Sequence, residues 1–136
     1  MKLSRTVSYA LQATLQLAQY DMAVPVPCSR LAAHGKMPER FLLQVLRNLV
    51  AHGILESTRG VDGGYALERP AADISLLQVI EAIDGPLVPV LPMSEGLPEE
   101  AKSKLEATLT RVTTRARLDL ESVTLADLLP RPVKVH

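Results

Sequence analysis

One cysteine, Cys28, in 136 residues leaves no intrachain disulfide to form. It also leaves too few thiolates for an iron–sulfur cluster, which usually takes four. The three histidines, His34, His52 and His136, have no metal-ligand spacing. No metal and no cofactor is expected. Tryptophan is absent and aromatic residues make up 3 % of the chain. At 47 % hydrophobic residues there is enough for one core, and that core must be aliphatic. No apolar run approaches the ~20 residues that cross a bilayer. The start, MKLSRTVSYALQATLQLA, lacks the apolar stretch and small-residue site of a secretory signal. A soluble cytoplasmic protein is expected. There is no Ser–His–Asp order, paired carboxylate motif or phosphate loop, so an enzyme is not expected. An excess of one charge is lacking as well: 15 Lys+Arg balance 15 Asp+Glu. A simple basic nucleic-acid binder would often have an isoelectric point above about 9. The distribution is uneven, however. Residues 1–70 carry eight basic groups against five acidic, and residues 71–136 carry seven against ten.

The basic half contains the most informative stretch, PERFLLQVLRNLVAHGILESTRGVDGGY, from Pro38 to Tyr65. Phe41, Leu42, Val45, Leu46, Leu49 and Val50 form one apolar stripe of a helix. Pro38 suits its first position and Gly53 its left-handed stop. The other face carries Glu39, Arg40, Leu43, Gln44 and Arg47. Arg, Gln and Glu can each read a base edge in a major groove. Strands are expected at Ile54–Ser57 and Tyr65–Glu68, around a glycine-rich loop with Arg59 at its shoulder. Periodicity alone fits equally a core helix followed by a surface hairpin with no ligand.

The neighbouring residues favour the DNA reading. Ser4 to Tyr20 reads as a helix with Val7, Ala10, Leu11, Thr14, Leu15 and Ala18 buried and Ser4 as its cap. Lys2, Ser4 and Arg5 then sit at a helix start suited to a phosphate. Val24-Pro25-Val26-Pro27 is extended. Ser29 caps a short helix to His34, and Gly35 ends it. This helix and the Pro38 helix, joined by a tight turn, make a helix-turn-helix over residues 28–51. The hairpin over residues 54–68 makes it a winged helix.

Ser75 and Gln78 have capping-box spacing for a further helix, with Leu76, Val79, Ile80 and Ile83 facing in. Gly85-Pro86 stops it. Residues 86–98, PLVPVLPMSEGLP, read as a linker or a loop on the fold. Pro98 opens a long helix to residue 121, with Glu99 and Glu100 in its first turn. Leu105, Leu109, Val112 and Ala116 form a seam of two heptads, read as a dimer contact rather than a face packed on its own domain. Thr124 caps a last turn, Leu125–Leu129, and Pro130–His136 is a loose tail.

In this order the parts resemble the Rrf family of winged helix-turn-helix transcription regulators, which includes IscR-, NsrR- and CymR-like proteins. The resemblance is carried by Leu3-Ser4, Tyr9-Ala10, Phe41-Leu42-Leu43-Gln44-Val45-Leu46 and, most specifically, Ser57-Thr58-Arg59-Gly60-Val61-Asp62-Gly63-Gly64-Tyr65. Further on, Ile74 to Gly85, ISLLQVIEAIDG, and Thr124-Leu125-Ala126-Asp127-Leu128 carry it. It covers about residues 2–130. The fold it implies is mainly α with a small β-hairpin, one domain over residues 2–131. It implies a homodimer, expected to repress, on a partly palindromic operator. The third helix would enter the major groove and Arg59 the minor groove, with the long helix crossing onto the partner subunit. Many family members hold an iron–sulfur cluster through three cysteines between the fourth helix and the long helix. Residues 86–98 here have neither cysteine nor histidine, so cluster sensing is not carried over. Cys28 reads as a small, partly buried residue rather than a redox switch.

The candidate DNA contacts are Lys2, Ser4, Arg5, Ser29, Pro38, Glu39, Arg40, Leu43, Gln44, Arg47, Arg59, Gly60 and Gly64. The alternative is a winged-helix protein-interaction module that no longer reads DNA. The neutral total charge and the apolar Leu43 on the reading face favour it; the basic half and the Arg40, Gln44, Arg47 and Arg59 set oppose it. An effector, if there is one, is a small molecule or a partner protein.

Overall fold

Helix α3, Glu39–Ala51, is the element around which the others pack. Its residues Leu42, Val45, Leu46 and Leu49 are buried, and it touches α1 (Arg5–Leu17), α2 (Cys28–Gly35), α4 (Leu76–Asp84) and β1 (Leu55–Thr58). Each such side chain contributes about 1.5–3 kcal/mol by leaving water. The computed structural model describes residues 1–130. The domain end expected at residue 131, the tail after Pro130 and His136 fall outside the described residues. The fold is mainly helical, with one antiparallel hairpin of β1 and β2 (Gly64–Leu67). Leu55 pairs with Leu67 and Thr58 with Gly64. Both strands start one residue away from the expected positions.

Helix α1 buries Val7, Ala10, Ala13, Thr14 and Leu17. The sequence pattern points instead to Leu11, Leu15 and Ala18 beside Val7, Ala10 and Thr14; those three are half-buried. The reason is that α1 is enclosed from several sides, by α2, α3, α4 and β2, and its small alanines take the closest approach. The buried Thr14 hydroxyl donates to the Ala10 carbonyl at 2.9 Å and so is satisfied.

Helix α2 differs from expectation at both ends. Its cap position is Pro27, so Ser29 lies inside the first turn and caps nothing. At the other end the left-handed residue is Lys36 (φ 53), not Gly35. Gly35 serves packing instead: a Cβ there would lie 2.5 Å from Met37 Cε and 3.2 Å from Gln16 Nε2. Lys36 then swings Met37 into the core. Helix α3 begins after Pro38, one residue later than its proline suggests, and Gly53 follows it with φ 73.

The capping box of α4 is present, with the Gln78 amide N–H donating to Ser75 Oγ at 3.1 Å and the Ser75 N–H to Gln78 Oε1 at 2.8 Å. Its buried residues are Leu77, Val79, Ile80 and Ala82; Leu76 and Ile83 are half-buried. After residues 85–98 comes α5, Glu99–Glu121, about 35 Å long at 1.5 Å per residue. The chain then returns to α4: Leu76 N–H donates to Val123 O at 2.8 Å, and Leu125 N–H to Ile74 O at 2.9 Å. Helix α6, Leu125–Leu128, closes the described chain with a second capping box, Thr124 with Asp127.

Between these ends, α5 is tied to α4 by the ion pair of Arg117 with Glu81. Glu81 also accepts the Leu87 N–H at 2.7 Å, which fixes the start of the proline-rich segment. Partial burial would raise the Glu81 carboxyl. The Arg117 hydrogen bond, the Leu87 N–H and the Arg117 charge outweigh it and hold the group below its ordinary 4.5.

The lowered Glu81 value makes this anchor sensitive to acid. Its stabilisation is fully present above about pH 4.5 and is lost as pH falls through the lower folded value. Glu81→Gln should therefore be less stable than the wild type at pH 7, and the gap should shrink as the pH falls below the ordinary carboxylate value. Urea unfolding over a pH series measures this; a gap independent of pH would contradict it. A second expectation concerns the hairpin. A Cβ on Gly64 would lie 2.4 Å from Val26 C and O, whereas one on Gly60 meets nothing within 4 Å. Gly64→Ala should lose about 2–3 kcal/mol through overpacking against backbone. Gly60→Ala, strained only by its φ of 111, should lose about 1 kcal/mol. Equal losses in urea midpoints would show that the Val26 contact is not the constraint.

Candidate nucleic-acid interface

The candidate reading face is built on two elements. On α3, Glu39, Arg40, Gln44 and Arg47 are exposed, and Leu43 among them is half-buried. On the hairpin, Arg59 follows β1 directly and is exposed beside Gly60. The loop is closed by Gly63 N–H donating to Gly60 O at 3.0 Å.

Helix α3 packs directly on β1, and an extended segment ties the hairpin to the start of α2. Val26 N–H donates to Tyr65 O and Tyr65 N–H to Val26 O, both at 2.8 Å. The segment before α2 thus acts as a one-residue third strand at the base of the hairpin. Gly64 lies against that segment, which gives it a packing task. The Tyr65 ring sits near both Cys28 and Arg47. Burial and Cys28 push its phenol up, and the Arg47 charge pulls it partly back.

A recess of about 300 Å³ opens between α1 and α3, lined by Thr6, Phe41, Gln44, Val45, Arg47 and Asn48. The helical period places Phe41 inside the stripe of α3, but it is 42 % exposed. Tyr9 holds it, edge to face, with ring centroids 5.4 Å apart at 72°. Phe41 and Tyr9 therefore border the reading face, and the spacing of Phe41, three residues before Gln44, is the sequence signal for it.

At the start of α1, Lys2 and Arg5 are exposed. Ser4 caps the helix by accepting the Val7 N–H at 3.1 Å, and its hydroxyl donates to Asp84 at 3.0 Å. Its hydroxyl is engaged within the fold, so the free donors there are backbone N–H groups and the two cations. Ser29 is exposed in the first turn of α2, and Pro38 is exposed at the cap of α3. The two ion pairs among the described residues, Lys104 with Glu100 and Arg117 with Glu81, lie elsewhere. Arg40, Arg47 and Arg59 are thus left to solvent, as groups that meet phosphate or base edges must be.

Helix α5 carries no buried residue. Of the seam residues, Leu105 is exposed, Val112 is 57 % exposed, and Leu109 and Ala116 are half-buried. Leu118, which lies outside the heptad seam, is 62 % exposed on the same helix.

A winged helix with an open cationic reading face defines a DNA-binding regulator. Residues 3–131 match the Rrf2 family model, described as iron-dependent transcriptional regulators, and the chain belongs to that family. It is 37 % identical over 140 residues to a helix-turn-helix-type transcriptional regulator of Mycobacterium tuberculosis, covering 100 % of this chain and 86 % of that one. It is 30 % identical over 128 residues to the regulator CymR of Bacillus subtilis, covering 94 % and 89 %. The solved structure of B. subtilis CymR, the global cysteine regulator, superposes with a TM-score of 0.77 at 28 % identity, covering 94 % of this chain and 95 % of that one. These relatives are regulators, not enzymes.

The residues of this chain do not fit the iron–sulfur group of many relatives. Cys28 is its one thiol. It lies half-buried at the start of α2, with Sγ 3.7 Å from the Glu39 carbonyl, and burial and the Glu39 charge push its pKa up, away from the thiolate that binds iron. Among the described residues no three of His, Cys, Asp and Glu gather as metal ligands. Protein treated anaerobically with iron and sulfide, then desalted, should be colourless. Stoichiometric iron with a visible absorption band, lost on chelation, would contradict this.

Proposed function

We propose that this chain is a sequence-specific DNA-binding repressor that acts in the cytoplasm as a homodimer on a partly palindromic operator, without an iron–sulfur cluster. The observation that carries the proposal is the set of Arg40, Gln44, Arg47 and Arg59, exposed on α3 and on the hairpin that packs directly against it. Arg40 and Gln44, one turn apart near the start of α3, read base edges in the major groove. Arg47, further along, contacts phosphate. Arg59 enters the adjacent minor groove, where width and the A·T pattern are read. Lys2, Arg5 and the N–H groups at the start of α1, with Ser29 and Pro38 at two further helix starts, hold the sugar–phosphate backbone.

The open apolar seam residues of α5, Leu105 and Val112, with Leu109 and Ala116 beside them, support a second copy of the chain as partner. Two reading helices then address half-sites about 34 Å, one helical turn, apart. A mobility-shift series on the DNA upstream of the chain's own gene tests this. Arg59→Ala should weaken operator binding by about 1–3 kcal/mol while circular dichroism stays unchanged. Arg40→Ala should flatten the preference for operator over random duplex. Equal weakening on every sequence would make Arg40 a phosphate contact, and unchanged affinity in both variants would reject this face.

A further inference from the structure

On the side of the molecule where the end of α3 approaches α5 lies a cavity of about 970 Å³. Its walls come from the end of α3, the start of the hairpin, α4, residues 85–89 and one side of α5. Sites for small ligands run from about 300 to 1,000 Å³ and are mostly apolar with a few placed polar groups. Here Ile54, Ile83 and Leu87 supply apolar wall, and Thr113 and Thr114 line it from α5.

The charges are unequal. Arg69 and Arg117 both line the cavity, with Glu81 as the one carboxylate. Arg117 and Glu81 satisfy each other, and Glu81 also holds Leu87. Arg69 meets no carboxylate among the described residues. It is half-buried, and its two contacts are long and neutral: Nη1 to the Gly53 carbonyl at 3.5 Å and Nη2 to Gln78 Oε1 at 3.4 Å. A guanidinium has five N–H donors in a planar fork that matches a carboxylate, so most of its capacity is open. One open guanidinium beside an apolar wall suits a monoanion with an alkyl body. A phosphate would be matched in charge only by taking Arg117 from Glu81.

We propose that this cavity is an effector site for a small aliphatic carboxylate, held by Arg69 with its alkyl part against Ile54, Ile83 and Leu87. The placement carries regulatory meaning, which rests on the DNA-reading proposal above. Arg69 bonds the carbonyl of Gly53, in the turn that leaves α3, and the opposite wall is the proposed dimer helix. A ligand between them links the reading helix to the partner-facing helix. Ligand and DNA then alter each other's affinity by one common factor, about 5–150-fold in typical cases.

The test uses the full chain and three probes by isothermal titration, first without DNA: sodium isovalerate, its neutral amide isovaleramide, and inorganic phosphate. Isovalerate should bind once per chain with a Kd below about 1 mM. Isovaleramide and phosphate should each bind at least about tenfold more weakly, the first lacking the charge and the second the alkyl body. Arg69→Gln should abolish isovalerate binding. Should that variant fail to fold by circular dichroism, Leu87→Ala, which removes part of the apolar wall, should still weaken binding severalfold. No isovalerate binding, equal binding of the amide or of phosphate, or unchanged binding in the folded variants would overturn the site. Mobility shifts with and without isovalerate then read the coupling. A bound carboxylate that leaves DNA affinity unchanged would overturn the effector role. DNA binding without isovalerate binding would remove the site and leave the regulator reading intact. Isovalerate binding without any DNA binding would do the reverse.

Discussion

A two-way backbone exchange ties the hairpin, one of the two candidate DNA-facing elements, to the segment that leads into α2. Val26 and Tyr65, distant in sequence, trade both N–H groups at 2.8 Å. Each bond is modest by itself, about 0.5–1.5 kcal/mol net. Their value is geometric. They tie the base of the hairpin to the residue that leads into α2, and α2 packs on α3. The requirement for glycine at residue 64 follows, because any side chain there would strike the Val26 backbone. The helix-turn-helix and the hairpin are thus joined twice, by this exchange and by the packing of α3 on β1.

The charge distribution follows the same division of labour. The chain as a whole is neutral, yet its exposed arginines on α3 and the hairpin make no ion pair among the described residues. The two ion pairs present are both on α5, one along its surface and one binding it to α4. Among the described residues, Lys104 and Arg117 are engaged within the protein, whereas Arg40, Arg47 and Arg59 are left to solvent. Helix α5 buries no residue fully in a single chain, and this is the basis of the dimer proposed above. The Arg69 cavity lies between the end of α3, proposed to read, and α5, proposed to pair.

Much of this architecture is legible in sequence because it is locally encoded. The apolar stripe of α3, the Ser75–Gln78 box, Pro98 before α5 and the glycine-rich loop each declare themselves within a few residues. The order of these parts points to the family to which the chain belongs. What is not legible is non-local. Pairing of Val26 with Tyr65 joins segments 39 apart, and two prolines disguise the strand as mere extended chain. Ser29 looks like a cap because its type favours caps, but the helix starts earlier and satisfies that end without it. Gly35 looks like a left-handed stop, but it sits inside the helix, where Met37 and two glutamines of α1 leave no room for a Cβ, and the left-handed residue is Lys36. Period alone assigns Phe41 to the core, and the Tyr9 ring that holds it at the rim lies on another helix. The open guanidinium of Arg69 cannot be found from sequence, since it is defined by which carboxylates fail to reach it.

The central claim is that α3 and the hairpin together read a defined DNA sequence. Selection of bound duplexes from a random pool tests it with no operator chosen in advance. The predicted result is a partly palindromic consensus with half-sites one helical turn apart, and loss of base preference in the Arg40→Ala and Gln44→Ala chains while weak, salt-sensitive binding persists. Recovery of duplexes with no shared sequence, or an unchanged consensus from both variants, would contradict it.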